Sequence, residues 1–270
     1  MHPATGGMHF FIVLFCNMHE PKLSIIIPAY NEENRLPSTL DRLFHYMREN
    51  FDRPYEVIVA NDGSHDRTAA IVRELTGSHP ELRLMDFPKN RGRGAVVRDA
   101  MFSAAGSYIL QTDADGSVGE EAVVRFVEYL DVHPEVHMLI GSRLARGAKI
   151  LTPQPLIRVA LGYAFVILAM IMFRWKFDDR VNGFKMFRRD AARDIYRNQY
   201  SDHYIAEAEV VYVAERRGWK VQELPIFWAD YKGSRIKPVR DSYRSIKGMI
   251  GILINDWRGR YSKHISEIKK

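Results

Sequence analysis

Two aspartates separated by one residue are the first candidates for chemistry in this sequence. Asp113 and Asp115 follow the apolar run Tyr108–Gln111 and precede Gly116. In an extended turn, carboxylates at alternate positions point toward a common centre, and their oxygens are ligands that Mg²⁺ or Mn²⁺ takes together with substrate phosphates. The pair is therefore a candidate divalent-cation site. Acid pairs also occur on solvated loops, so the spacing by itself leaves both interpretations open.

Two further polar clusters follow apolar runs earlier in the chain, at Tyr30-Asn-Glu-Glu33 and Asn61-Asp-Gly-Ser64. An ionised Asp62 is suited to accept hydrogen bonds from a nucleobase edge, although these residue types also favour a simple turn. Glu32 and Glu33 would equally suit the first turn of a following helix. Both clusters fall where a strand is expected to end.

The run Asn90-Arg-Gly-Arg-Gly94 precedes a helical segment. Exposed N–H groups and arginines such as Arg91 at a helix start would suit an anion. The spacing matches neither the dinucleotide fingerprint nor a P-loop, which argues against a dehydrogenase or an ATPase. Lys185, within Asn182–Phe187, is a further candidate phosphate contact, unless its stem only covers apolar surface.

The elements that must position these residues alternate along the first half of the chain. Because strand and helix patterns alternate, we expect an α/β fold with a mostly parallel central sheet, which binds ligands at the carboxyl ends of its strands. The predicted strands are Leu23–Pro28, Tyr55–Ala60, Leu82–Met85, Tyr108–Gln111 and His137–Ile140, and the predicted helices are Leu36–Glu49, Arg67–Thr76, Gly94–Ala105 and Glu120–Asp131.

The second half has a different character. A helix is predicted at Tyr204–Arg217, a strand at Trp219–Trp228 and a helix at Ser242–Asn255. The apolar run Leu156–Phe173 contains one charge, Arg158. It is at the lower length limit for a spanning helix, so an in-plane interfacial helix is favoured over a spanning or a buried one.

These patterns predict an N-terminal extension over residues 1–22, an α/β domain over 23–230 and a basic helical tail over 231–270. The domain would include an apolar interfacial helix at about 155–174. The fold class is therefore α/β with an appended helical region at a membrane interface. Phe10–Cys16 is too short to cross a bilayer and lacks the features of a signal peptide.

Composition narrows the classes of protein. The 270 residues are 46% hydrophobic, which excludes wholesale disorder, and the single cysteine, Cys16, excludes an intrachain disulfide. The net charge of +6 is uneven: residues 231–270 hold eleven Lys or Arg and three Asp or Glu, a balance of +8 that leaves about −2 for the rest. The tail therefore favours an anionic membrane surface over nucleic acid as a partner.

Six motifs occur in a fixed order: PAYNEE, NDGSHD, KNRGRG, QTDADG, GSR and NGFKMF. From about Leu23 to Asn255 the sequence resembles the family 2 glycosyltransferases of the GT-A fold. Within that family it is most similar to the polyprenyl-phosphate glycosyltransferases, notably those that glucosylate dolichyl phosphate. The resemblance implies a nucleotide-sugar-binding GT-A fold.

The resemblance also implies roles for individual residues. Asp62 would bind the nucleotide base. Asp113 and Asp115 would hold Mg²⁺ or Mn²⁺ on the diphosphate of the donor. Glu207 would be a catalytic residue on the acceptor side, although it stands in Ala206-Glu-Ala-Glu209, where the family often has Phe-Asp-x-Glu. The other implied contacts are Pro28, Tyr30 and Glu32 with the nucleotide, and Arg143 and Arg158 with donor and acceptor phosphates.

The implied reaction is inverting transfer of a sugar from a nucleotide sugar, with UDP-glucose favoured, to dolichyl or undecaprenyl phosphate. A phosphate acceptor is already anionic, so little general-base assistance is needed. The enzyme would be peripheral on the cytoplasmic side of a membrane, the plasma membrane in a bacterium or the endoplasmic reticulum in a eukaryote. Three alternatives stay open: transfer of mannose from GDP-mannose, a soluble glycan acceptor, and a non-enzymatic protein that binds nucleic acid or membranes through the basic tail.

Overall fold

The computed structural model describes residues 20–152, 172–173, 179, 181–229 and 238–262, with side chains from 245 onward in the last range. In chain order its elements are β1 (Leu23–Ala29), α1 (Leu36–Asn50), β2 (Tyr55–Asp62), α2 (Thr68–Thr76), β3 (Leu82–Phe87), α3 (Arg93–Ser103), β4 (Tyr108–Gln111), α4 (Glu121–Val132), β5 (Met138–Ser142), β6 (Lys149–Thr152), β7 (Lys185–Arg188), α5 (Arg189–Arg197), α6 (Ala206–Arg216), β8 (Val221–Pro225), β9 (Phe227–Ala229) and α7 (Pro238–Trp257).

The central sheet has the strand order β3-β2-β1-β4-β7-β5-β8. β7 runs antiparallel to both β4 and β5, and the other pairs are parallel. Every residue of β1 is buried, because helices cover both faces of the sheet and a strand there needs no polar alternation. The predicted α/β class with a mostly parallel sheet is therefore confirmed.

The hydrophobic core lies in two layers, one on each face of the sheet. Alternate residues of β1 supply them: Ile25 and Ile27 pack with Phe44 and Phe126 on one face, and Ile26 packs on the other. The second layer continues through α3, α5 and α6 into the C-terminal helix. Burial on both faces holds the strand ends in fixed positions at one edge of the sheet.

Predicted and observed elements differ mainly in the second half. The single strand expected at Trp219–Trp228 is two strands, because after Ile226 the chain leaves β8 and pairs with β6 as β9. Residues within Asn182–Phe187 contribute β7, which enters the middle of the sheet. Helix α5 directly follows β7, and the sequence patterns did not predict it.

The C-terminal helix packs against the body of the protein. Met249 and Ile252 are buried, and Gly248 lies so near Ile205 that a Cβ would be 2.6 Å from Ile205 Cγ2. Among the described residues, no helix is long and apolar enough to cross a membrane. The N-terminal run Phe10–Cys16 and nearly all of the apolar run that contains Arg158 lie outside the described residues.

Candidate active site

Asp62 is the last residue of β2, and its carboxylate is buried against the loop that precedes α3. Its Oδ1 accepts a hydrogen bond from the Arg91 N–H at 2.6 Å, and its Oδ2 accepts bonds from Gly92 N–H and Asn90 Nδ2, each at 3.0 Å. Burial raises the pKa of Asp62, while these donors oppose the rise. Asp62 thus fastens the loop to the sheet, and its contact with a nucleobase stays a prediction.

The loop after β1 lies beside the loop after β2. Asn31 has a φ of 56°, and its N–H donates to Ser64 Oγ at 2.8 Å. Pro28 pairs in register with Ala60 of β2, and Tyr30 is partly exposed beside the His65 ring. The structure therefore brings the predicted nucleotide residues of β1 and β2 to one edge of the sheet.

Glu32 connects this edge to the aspartate pair through Arg35. The Glu32 carboxylate accepts hydrogen bonds from Arg35 Nε at 2.7 Å and Nη2 at 2.6 Å. The third guanidinium nitrogen, Nη1, is 3.9 Å from Asp115 Oδ2. Arg35 was not among the predicted site residues. Arg35 belongs to none of the sequence motifs. Its only available signal was its position directly before α1.

The loop that carries the aspartate pair is held from α1. Thr39 Oγ1 donates to the carbonyl of Ala114 at 3.0 Å, and Gly116 takes a φ of +64° that a side chain would strain. Asp115 Oδ1 accepts bonds from the N–H of Ser117 at 3.0 Å and from its hydroxyl at 2.6 Å. Contacts from Thr39 and Ser117 thus hold the loop and the Asp115 carboxylate in place.

Asp113 faces a guanidinium group and a glycine. Its Oδ1 is 2.6 Å from Arg93 Nη2. A Cβ on Gly183 would lie 2.6 Å from both carboxylate oxygens of Asp113 and 2.7 Å from Arg93 Nη2. Only glycine allows the NGFK segment to approach this pair so closely.

Arg93 continues into a buried network around Glu207, at the start of α6. Glu207 accepts bonds from Arg93 Nε at 2.8 Å and from Lys185 Nζ at 2.7 Å. Gln111 Nε2 also donates to it, and the Tyr196 hydroxyl donates to Gln111 Oε1 at 2.8 Å. Although burial opposes ionisation, the two cations hold the pKa of Glu207 below its usual range.

Both oxygens of Glu207 are engaged, so the residue positions Arg93 and Lys185 and is not free to accept a proton. Lys185 is fully buried, and burial lowers its pKa while Glu207 opposes that effect. The predicted candidates Asp113, Lys185 and Glu207 therefore come together, and Arg93, which was not among the predicted site residues, connects Asp113 to Glu207.

The two arginines of the RGRG run have different partners. Arg91 Nη1 donates to Asp99 at 2.6 Å, and its guanidinium stacks over Phe87 at 5.0 Å. The chosen candidate therefore points away from Asp113, whereas Arg93 reaches it. The sequence signal that distinguishes Arg93 is its position, because it is the first residue of α3 and lies between Gly92 and Gly94.

The expectation that the N–H groups of this loop are exposed to an anion is wrong. The N–H groups of Arg91 and Gly92 donate to Asp62. Those of Gly94 and Ala95 donate to the Asp202 carbonyl at 2.8 and 3.4 Å. The protein itself thus satisfies these donors, and any anion contact falls to side chains.

Arg143, which follows β5, is held by a residue that the sequence analysis did not select. Its Nε and Nη2 donate to the buried carboxylate of Asp179 at 2.8 and 2.6 Å, and the guanidinium lies 5.5 Å from the Trp228 ring centroid. The signal available was a pair of acids, Asp178-Asp179, three residues before Asn182. Contact of Arg143 with a phosphate stays a prediction.

The aspartate pair fits a divalent cation. Burial raises the pKa of Asp113, Arg93 opposes the rise, and the negative charges of Asp115 and Glu207 add to it, so a cation here would favour the ionised carboxylate. Within the described ranges no group of three or more His, Cys, Asp or Glu side chains could hold a metal ion. Two carboxylates would therefore share a cation with phosphate oxygens and water, as Mg²⁺ commonly does.

An open α/β sheet with paired carboxylates and two cationic side chains at its carboxyl edge is consistent with the GT-A fold of nucleotide-sugar transferases. The family pattern described as glycosyl transferase family 2 matches residues 24–196. The chain belongs to this family and is a glycosyltransferase.

Similar curated proteins share most of the chain. A dolichyl-phosphate beta-glucosyltransferase of Trichomonas vaginalis is 34% identical over 241 residues, which covers 86% of this chain and 68% of that protein. The Homo sapiens dolichyl-phosphate beta-glucosyltransferase is 30% identical, with 80% and 70% covered.

Solved structures share the fold. Glucosyl-3-phosphoglycerate synthase from Mycobacterium tuberculosis, in complex with Mn²⁺ and UDP-glucose, superposes with a TM-score of 0.60 at 14% identity, covering 85% of this chain and 78% of that one. TarS of S. aureus in complex with UDP-GlcNAc gives a TM-score of 0.57 at 19% identity, with 87% and 67% covered.

Proposed function

We propose that this protein transfers glucose from UDP-glucose to dolichyl phosphate with inversion at the anomeric carbon. The observation that carries the proposal is the cluster at the carboxyl edge of the sheet in which Asp113, next to Asp115, contacts Arg93, while Arg93 and the buried Lys185 share Glu207. Relatives named dolichyl-phosphate beta-glucosyltransferase, at 27 to 34% identity, support the choice of sugar and acceptor.

On the donor side, Asp113 and Asp115 would hold Mg²⁺ or Mn²⁺. When bound, the cation supplies charge neutralisation on the departing diphosphate. Arg93 Nη2 lies against Asp113 Oδ1 and adds a second positive charge at the same place. Tyr30, Glu32 and Asp62 would receive the nucleoside, because they line the adjoining ends of β1 and β2.

On the acceptor side, an oxygen of the lipid phosphate attacks the anomeric carbon from the face opposite UDP. The bond between that carbon and the UDP oxygen breaks, giving glucosyl phosphoryl lipid and free UDP. No protein group needs to accept a proton, which agrees with the full engagement of Glu207 by Arg93 and Lys185. Arg143, fixed by Asp179, is suited to hold the acceptor phosphate, together with Arg158 as the sequence predicts.

The location proposed is the cytoplasmic side of a membrane, as a peripheral protein. The acceptor is a lipid, so the enzyme must work at a bilayer surface. The balance of +8 in residues 231–270 favours anionic headgroups, at up to about 1 kcal/mol per basic residue near the surface.

A donor panel with a short polyprenyl phosphate, with Mg²⁺ or Mn²⁺, tests the proposal directly. We expect lipid-linked glucose from UDP-glucose and little product from GDP-mannose. Preference for GDP-mannose would overturn the donor assignment. Transfer to soluble glycans in place of the lipid would overturn the acceptor assignment.

Asp115→Ala tests the role of the aspartate pair. We expect kcat/KM to fall by about 10²-fold or more, since an electrostatic contact to the departing group is lost. The circular dichroism spectrum should not change, because Asp115 is partly exposed. Asp52→Ala, at an exposed aspartate in another loop, is the matched control. Equal turnover in the two variants would remove the metal assignment.

A further inference from the structure

Helix α7 carries apolar side chains on two opposite faces. The inner face packs on the body through Met249 and Ile252, which are 0% and 1% exposed. The outer face is a stripe of exposed side chains at spacings of four, four and three residues, which places them on one side of a helix. This α7 outer stripe consists of Ile246 (39% exposed), Ile250 (48%), Ile254 (42%) and Trp257 (87%).

The inner face is locked, so the helix cannot turn to bury its outer stripe. Asp256 accepts hydrogen bonds from the Tyr212 hydroxyl and from Arg216 Nε, both at 2.7 Å. Beyond the helix, the buried Tyr261 donates its hydroxyl to Glu209. The body of the protein thus presents the stripe outward from a fixed support.

The charges near the stripe are positive. Lys247 and Arg258 are exposed beside it. Asp256 is the one acid between residues 245 and 262, and its carboxylate is turned inward to Tyr212 and Arg216. An apolar face with a cationic border and no outward acid complements a surface that has anionic groups above hydrocarbon.

We propose that the α7 outer stripe is a membrane-docking surface whose partner is an anionic lipid bilayer. The helix lies in the plane of the interface, with its isoleucines at the acyl boundary and Trp257 at headgroup level. Lys247 and Arg258 contact lipid phosphates. Charge selects lipid over a second copy of the chain, because two copies packed through this face would bring the same cations together.

The stripe is connected to the active site through one loop. Arg260 lies 5.1 Å from the ring of Tyr200, and Glu209 accepts the N–H groups of Tyr200 and Ser201. The same loop leads to Tyr204, which is half exposed and donates to the carbonyl of Val181 at 3.2 Å, beside the NGFK segment. Docking through α7 would therefore hold the acceptor side near the bilayer. Only this last step rests on the proposed function.

The first test measures binding of the full chain to vesicles of phosphatidylcholine, with and without phosphatidylserine, in the absence of donor and acceptor. We expect binding to the anionic vesicles to weaken about tenfold or more in Ile250→Gln/Ile254→Gln, since two half-exposed isoleucines no longer enter the bilayer. Phe102→Gln/Val132→Gln is the matched control, because it removes two apolar side chains that are 41% and 71% exposed on other helices. Equal binding of the two double variants would overturn the proposal.

The second test reads the position of Trp257. Brominated lipids in anionic vesicles should quench the tryptophan fluorescence, and Trp257→Phe should lose most of that quenching. Absence of quenching in the wild type would overturn the proposal and indicate that another part of the chain covers the stripe. Light scattering that shows a dimer, dissociated by Ile250→Gln/Ile254→Gln, would overturn it in favour of a second copy.

Failure of the proposed function would be distinguishable from failure of this surface. Ile250→Gln/Ile254→Gln should retain glucosyl transfer to a short, water-soluble polyprenyl phosphate while vesicle binding falls. A wild type that binds anionic vesicles through Trp257 but transfers no glucose would leave the docking surface standing. Loss of transfer to the soluble acceptor in the stripe variant would overturn the separation of docking from catalysis.

Discussion

Two buried carboxylates lie at the same edge of the sheet and are held in different ways. We call each carboxylate, together with its hydrogen-bond partners, the Asp62 corner and the Glu207 corner. At the Asp62 corner, neutral donors of the loop before α3 surround the carboxylate. At the Glu207 corner, the partners are two full positive charges, Arg93 and Lys185. The backbone N–H groups at Asp62 are held by the path of the chain, whereas the charged side chains at Glu207 can also interact with the phosphates of a ligand.

This difference predicts different consequences when each carboxylate is changed. The Asp62 corner holds the loop that leads into α3, and so it positions Arg93, the first residue of that helix. The Glu207 corner holds the positive charges in place beside Asp113. Three variants test how far the contrast holds, from the largest expected effect to the smallest.

Glu207→Gln should have the largest effect. It leaves the buried Lys185 without its anion and Arg93 with Asp113 alone, so we expect the free energy of unfolding to fall by about 3 to 5 kcal/mol and transfer to be lost. Urea unfolding measures the first effect. Glu207→Asp, which keeps the charge, is the control and should retain more stability. An unfolding midpoint equal to that of the wild type in Glu207→Gln would mean that the cations do not need this anion.

Asp62→Asn should have an intermediate effect. An amide offers one acceptor oxygen where the carboxylate offers two, and its NH₂ group would face the donor groups of Arg91 or Gly92. We expect a loss of about 1 to 3 kcal/mol in urea unfolding, because a buried donor is left without its partner. If this loss exceeded that of Glu207→Gln, the contrast between the two corners would be reversed.

Asp131→Asn should have the smallest effect. Like Glu207, Asp131 has two cationic partners, but it is partly exposed, so the variant measures how much such partners contribute outside the interior. Burial acts to raise the pKa of Asp131, but hydrogen bonds from Lys22, Arg53 and Tyr108 lower it to about 2. A lowered pKa contributes stability above the unfolded value near 4 and loses it as pH falls toward 2.

After allowance for solvent screening at this site, we expect Asp131→Asn to lower the free energy of unfolding by about 1 kcal/mol at pH 7. The difference from the wild type should vanish below about pH 2, where the wild-type group is protonated too. Asp52→Asn, at an exposed aspartate, is the control. If the variant were still less stable than the wild type by the same amount below about pH 2, packing and not charge would account for the contribution of Asp131.

The sequence predicted the first half of the fold well, since local patterns decide it there. The strand at Tyr108–Gln111 has the predicted bounds, and the first four helices begin within one residue of their predicted starts. The polar clusters fall at the strand ends because parallel strands end at one edge. The antiparallel insertion of β7 was not predictable in this way, because a four-residue strand carries no direction in its pattern.

The sequence predicted which residues belong to the candidate site better than it predicted which of them contact one another. Asp113, Lys185 and Glu207 meet, but the arginine that joins them is Arg93 and not Arg91. Spacing cannot separate two arginines that are two residues apart in a glycine-rich loop. The turn at Gly92, with a φ of +96°, separates them in the structure. Asp179 was missed since its partner, Arg143, is remote in sequence.

The position of β7 has a consequence for how the protein folds. In the strand order, β5 and β8 are connected to β4 only through β7, so the sheet is incomplete until residues 185–188 pair with both neighbours. Until then β4 is an open edge, the kind of strand that pairs with other chains. Lys185 is the first residue of β7, so the pairing that completes the sheet also brings Lys185 to Glu207.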